Sequence, residues 1–151
     1  MTASRIRAKI VAERTAWIRT MLDGLRSLPA EDLQSFQRDP RTVAACESYL
    51  RRCLEALLDL GRHIVAKAFG VAVVEYKDIA VRLQERVVLG EAEARLMRDM
   101  AGYRNRMVHF YSDVTTEELF QIRSSRLPDI ERVLAALLRW VEAHPELTDR
   151  A

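Results

Sequence analysis

The chain has 151 residues, 49% of them hydrophobic and 30% charged, the makeup of an ordinary folded domain able to bury a core without disulfide staples. Its formal net charge of +2 argues against a nucleic-acid coat protein. No apolar run approaches the ~20 residues of a membrane-spanning helix, and Met1–Arg7 lacks the apolar stretch of a secretory leader. One cytoplasmic domain, 1–151, with no membrane passage, is therefore expected. Cys46 and Cys53 stand seven residues apart in one helical pattern, about 10 Å along the axis. That exceeds disulfide reach, so both are expected as reduced packing residues. Of the 24 lysines and arginines only Lys9, Lys67 and Lys77 are lysines, a bias that GC-rich coding also produces.

The apolar periodicity is helical almost throughout, with no strand alternation, repeat or low-complexity tract. A first helix is predicted over Ser4–Ser27, its stripe formed by Ile6, Ile10, Trp17, Met21, Leu25 and Leu28, and Leu28-Pro29 ends it. A short helical turn follows over Glu31–Phe36, so residues 1–38 read as an N-terminal helix and connector. Asp39-Pro40, an N-cap acid before a proline at the first helical position, opens a long second helix that Gly70 stops. It carries Val43, Cys46, Leu50, Cys53, Leu57, Ile64 and Ala68 on one face and reads as the spine of a core bundle over 39–143. A third helix is predicted over Tyr76–Val88 and a fourth over Glu91–His109, with acids in the fourth helix's first turn as the macrodipole prefers. Thr115-Thr116-Glu117-Glu118 contains a capping box for a last helix over Thr116–Ala143, which Pro128 must kink or interrupt. The fold class is all-α, an antiparallel bundle of about five helices.

The fourth helix carries the chemistry. Leu96, Met100, Tyr103 and Met107 make its ordinary core stripe. Ala94, Met97, Ala101 and Val108 make a second one, which packs either on another helix of the same chain or on a second copy. Near its end Arg104, Asn105, Arg106 and His109 follow within six positions, and Tyr111 comes two residues later. Arginine is a fixed, permanently charged fork for phosphate, and histidine exchanges protons near neutral pH. Together they suffice for metal-free cleavage of a phosphodiester. A solvated helix end with histidine placed favourably on the dipole has the same spacing. On a straight helix Arg104 and His109 point about 140° apart, so one helix alone does not aim both at one phosphate.

Read as R-N-x3-H-x-Y on the fourth helix of a small bundle, the segment resembles the HEPN superfamily. Its nearest likeness is the HepT-type ribonuclease toxins, which pair with an MntA-type nucleotidyltransferase antitoxin. Leu54–Ile64 looks like that family's second helix and Met100–Asn105 like the approach to its site; the likeness spans about Asp39–Val141. The resemblance implies a homodimeric, metal-independent endoribonuclease toxin of a type VII toxin–antitoxin pair, using no cofactor. Its RNA cleft would hold the motif of both chains. Arg104 and His109 would be catalytic, with Asn105 orienting the imidazole or holding phosphate. Tyr111 would be the AMPylation target of the antitoxin. Arg106 is not a motif position and reads as a phosphate contact or a solvated charge.

Other polar residues are read more plainly. Arg62 and His63 on the second helix either pack there or line the same cleft. His144 belongs to the chain's end, and Trp17 and Trp140 are expected as core aromatics. The histidines and cysteines have no metal-ligand spacing, and the five glycines form no phosphate-cradling loop. The alternative function is a non-catalytic HEPN-type module that presents nucleotide or substrate to a nucleotidyltransferase. A purely structural bundle is the third reading.

Overall fold

The computed structural model describes residues 3–109 and 114–149. Its α-helices are α1 (Ala8–Ser27), α2 (Leu33–Arg38), α3 (Pro40–Phe69), α4 (Tyr76–Glu85), α5 (Glu91–His109), α6 (Thr116–Ser125) and α7 (Leu127–Ala143), followed by a 3-10 turn at Pro145–Leu147. The fold is an all-α bundle. Among the described residues no helix is long and apolar enough to cross a membrane.

The 30-residue α3 is the spine, about 45 Å long, with α1, α4, α5, α6 and α7 packed around it. Its ends follow local rules. The Asp39 side chain accepts from the Arg41 N–H at 2.9 Å, and Pro40 costs nothing where no helical donor is needed. At the far end Gly70 adopts φ 67, a left-handed conformation that costs other residues energy, and its N–H donates to the Ala66 carbonyl at 3.0 Å. Cys46 and Cys53 lie fully buried on this spine, and burial pushes both thiols up to about 12, where they are chemically inert.

Among the described residues seven α-helices stand where about five and a short helical turn were predicted. The turn expected over Glu31–Phe36 is the helix α2. Pro128 divides the last predicted helix, with Arg126 as the joint between α6 and α7. The first helix begins at Ala8 rather than Ser4 because the preceding residues are extended against the other terminus. The Ile6 N–H donates to the Leu147 carbonyl and the Asp149 N–H to the Ile6 carbonyl, each at 2.8 Å. Arg7 at the N-cap provides no side-chain acceptor. The helix end is satisfied from afar: the Arg7 N–H donates to His63 Nε2 at 3.0 Å and the Ala8 N–H to Asp149 Oδ1 at 2.8 Å. His63 is thus a cap for α1.

The core face of α1 is wider than the predicted stripe and shifted from it at one position. Ile6, Met21 and Leu25 of that stripe are buried and are joined by Val11, Thr15, Ile18 and Leu22, while Trp17 is 43% exposed. The second stripe of α5 is likewise resolved within the chain: Ala94, Met97 and Ala101 are fully buried, leaving Val108 at 38% exposure. Gly61 makes this possible. A Cβ there would lie 2.8 Å from Met97 Cε and 3.0 Å from side-chain atoms of Ile79 and Leu83, so α3, α4 and α5 meet at that glycine.

The His63 cap has a pH signature. Burial first, then Lys67, Arg7 and Arg14, hold His63 below its ordinary value of 6.5, against the opposing effect of Asp149. The folded state therefore binds the proton more weakly than the unfolded state. Stability from the cap is complete above about 6.5 and lost as pH falls from there through the lower folded-state value. Thermal unfolding of wild type should lose more between pH 7.5 and 5.5 than that of His63→Gln, which keeps an acceptor but no titration. Identical pH slopes would refute the assignment.

Candidate active site

Arg104 lies three positions before Met107, one of the buried residues that anchor the last turns of α5 to the bundle. Its side chain is only 18% exposed and reaches across to α3 and α4. The guanidinium carbon stacks 4.5 Å from the centroid of the Tyr76 ring, and Nη2 lies 3.9 Å from Glu55 Oε2. Nη1 donates to Asn105 Oδ1 at 3.2 Å, so the amide next to Arg104 in sequence helps to set its plane. Arg62 of α3 stacks on the same ring at 4.7 Å, and the Tyr76 hydroxyl donates to Asp59 Oδ1 at 3.1 Å. Asp59 in turn pairs with Arg62 at 3.4 Å. Burial, then the Asp59 charge, raises the Tyr76 phenol above its ordinary value, keeping it protonated as a donor.

The result is a clamp that fixes one guanidinium in a partly dehydrated position. Stacking on a ring face and a carboxylate at longer range hold Arg104 without a bidentate acid consuming both ends of its fork. The Nε–H groups of Arg62 and Arg104 are buried and make no hydrogen bond among the described residues.

His109 differs in every respect. It is the last residue of α5 and is exposed. It shares its face with Gly102 and Arg98, seven and eleven residues earlier, within about 20° of one line along the helix. That face borders a groove of about 470 Å³ lined by Lys77, Arg98, Asp99, Gly102, Tyr103 and Arg106. A Cβ at Gly102 would meet nothing within 4 Å, so packing does not require the glycine.

Arg106 makes a bidentate pair with Glu118, at 2.6 and 2.7 Å, which ties the end of α5 to the first turn of α6. Glu118 is also the residue whose N–H donates to the Thr115 hydroxyl, so the N-cap of α6 and this tie share one residue. Arg106 thus stands in a half-buried pair where sequence suggested a phosphate contact or a solvated charge. Tyr111 lies outside the described residues. Arg62 joins the Arg104 clamp, whereas His63 faces the N-terminal segment. Tyr76 and Glu55 were missed in the sequence because their roles arise from contact across helices. Among the described residues no three His, Cys, Asp or Glu side chains cluster so as to hold a metal.

A sequence model described as ribonuclease HepT-like matches residues 18–137. No match is found among curated proteins. Among solved structures, a tri-AMPylated Shewanella oneidensis HEPN toxin in complex with MNT antitoxin superposes with a TM-score of 0.78 at 20% identity, over 86% of this chain and 97% of that one. A toxin–antitoxin structure with AMP-PNP gives 0.76 at 20% identity, over 85% of this chain and 97% of that one. A cytosolic protein of unknown function from Bacillus subtilis, YutE, gives 0.74 at 18% identity over 93% of each chain. At these identities the structures establish a shared fold.

Proposed function

Because the chain belongs to the HepT-like ribonuclease family, we propose that it is an endoribonuclease that cuts RNA without a metal through Arg104 and His109. The observation that carries this reading is the division of labour at the end of α5: a guanidinium clamped by Tyr76, Glu55 and Asn105, and five residues on an exposed imidazole. His109 takes the proton of a ribose 2′-OH as the 2′-oxygen attacks the adjacent phosphorus. The bond to the 5′-oxygen then breaks, and that oxygen leaves with a proton supplied by a histidine in its acid form. The products are a 2′,3′-cyclic phosphate and a 5′-hydroxyl. Arg104 stabilises the charge that builds on the non-bridging oxygens. Asn105 keeps that arginine oriented, and Arg106 supports the site by fixing the end of α5 to α6.

Arg104 and His109 of one chain point about 140° apart. We therefore read the working cleft as shared by a homodimer, each copy completing the other's site. The Ala94, Met97 and Ala101 face is used within the chain and does not argue for a dimer; the diverging directions of the two groups do. The solved relatives described as HEPN toxin with MNT antitoxin support a toxin–antitoxin role. In this reading an MntA-type nucleotidyltransferase adenylylates Tyr111, two residues after His109 in sequence, adding negative charge and bulk that block RNA.

The test has two parts. Purified wild type should cleave RNA in EDTA to cyclic-phosphate ends, spare DNA, and elute at the mass of a dimer. Incubation with the cognate nucleotidyltransferase and ATP should add AMP to the peptide containing Tyr111 and end cleavage. Unmodified wild type that leaves RNA intact would overturn the nuclease in favour of a binding module that partners the transferase. A monomer that cleaves would overturn the shared cleft.

A further inference from the structure

We infer that Trp17 and the arginines around it form a subsite that stacks an unpaired RNA base next to Arg104. The choice of RNA rests on the ribonuclease reading above.

Trp17 is 43% exposed on α1, in a groove of about 190 Å³ that also takes in Arg14, Arg51, Arg52, Glu55 and Asp59. Val11, Thr15, Ile18 and Leu22 are buried more than about 90° round the helix from Trp17, so the indole sits at the edge of the core rather than in it. Among the described residues the only other apolar one lining the groove is Ala56. An indole set among guanidiniums and a single methyl group is a poor seat for an apolar partner surface. It suits a flat, polar-edged ring carried on an anionic backbone.

The charges favour the same occupant. Glu55 pairs with Arg51 at 2.9 Å and lies 3.9 Å from Arg104, while Asp59 is met by Arg62 and the Tyr76 hydroxyl. Both acids of the groove are thus neutralised by neighbours. Arg14 and Arg52 have no carboxylate partner among the described residues, whereas Arg51 and Arg62 nearby are paired. Two uncompensated guanidiniums beside an exposed indole match the phosphates and base of a single strand. A duplex hides its base faces and would not fit. Because Glu55 belongs both to this groove and to the Arg104 clamp, a base stacked on Trp17 places its strand beside the proposed reacting arginine.

The chain has two tryptophans, so Trp140→Phe leaves Trp17 as the sole tryptophan, whose emission is read with excitation beyond the tyrosine band. Titrating that variant with a single-stranded oligoribonucleotide, 2′-O-methylated so that it cannot be cut, should quench the fluorescence saturably. Trp17→Ala should weaken binding of the same oligonucleotide about 10- to 100-fold, and Trp17→Phe by only a few-fold. Arg14→Glu with Arg52→Glu should flatten the salt dependence of binding by a slope of about 1–2. On cleavable RNA, Trp17→Ala should raise KM with little change in kcat. Undisturbed binding by Trp17→Ala, or equal quenching by duplex RNA, overturns the subsite even if wild type cleaves. Undisturbed binding with a lowered mass in light scattering would reassign Trp17 to a contact between copies. Quenching and Trp17-dependent binding by a protein that never cuts RNA would uphold the subsite and overturn the nuclease. A wild type that neither binds nor cuts removes both.

Discussion

His109→Ala should lower the RNA cleavage rate by about 10²–10⁴ and leave the fold untouched. The size follows from what a positioned acid–base group contributes to proton transfer. The intact fold follows from position: His109 is exposed at the last residue of α5, while Met107, two residues earlier, is the buried anchor of that turn. Helical circular dichroism and melting temperature of the variant should match wild type, and growth arrest on expression should disappear. The wild-type rate should be unchanged by EDTA. Cleavage that persists in His109→Ala, or wild-type cleavage that vanishes in EDTA, removes the proposed mechanism. If two copies share the cleft, a heterodimer of His109→Ala with an Arg104 variant should recover a fraction of the activity.

Arg104→Lys should lose about 10²–10³ in kcat, although the charge is kept. Lysine cannot lie flat on the Tyr76 ring, present a fork to two phosphoryl oxygens, or hold the Asn105 amide in the same plane. Its ammonium would instead move toward Glu55, which already lies 3.9 Å from the native guanidinium. Tyr76→Leu should reduce kcat by a smaller factor because it frees the arginine without removing it. Steady-state kinetics on one oligoribonucleotide separates the cases. An Arg104→Lys enzyme that retains wild-type kcat would show that only charge is needed and that the Tyr76 clamp has no catalytic consequence.

The regular parts of the molecule were legible because their determinants are local. Asp39-Pro40 and Gly70 bound α3 at the predicted residues, and Thr115 caps α6 by accepting from the Glu118 N–H, while the Glu118 carboxylate of the expected capping box pairs with Arg106 instead. Pro128 broke the last helix for want of a donor and for steric reasons that no tertiary contact overrides. The motif itself, Arg104-Asn105 followed by His109, could be located on the last two turns of α5 by period alone.

What required the tertiary structure is everything that depends on which helix lies opposite which. Periodicity gave α5 two apolar stripes without saying what covered the second, and Gly61 on a distant helix settled it by admitting Met97. The start of α1 was misplaced because its caps, His63 and Asp149, lie 56 and 141 residues away. Arg104 is clamped by Tyr76 and Glu55, side chains whose own sequence neighbourhoods carry no catalytic signal. Trp17 was assigned to the core because size and apolarity favour burial, yet the side that faces α3 was decided by how the whole of α1 packs. Sequence by itself therefore determined the helices, their punctuation and the presence of an arginine–histidine pair, since each is written within a few turns of chain. The environment of that pair was decided only in three dimensions, because ring stacking, charge pairing and burial are properties of contacts between segments.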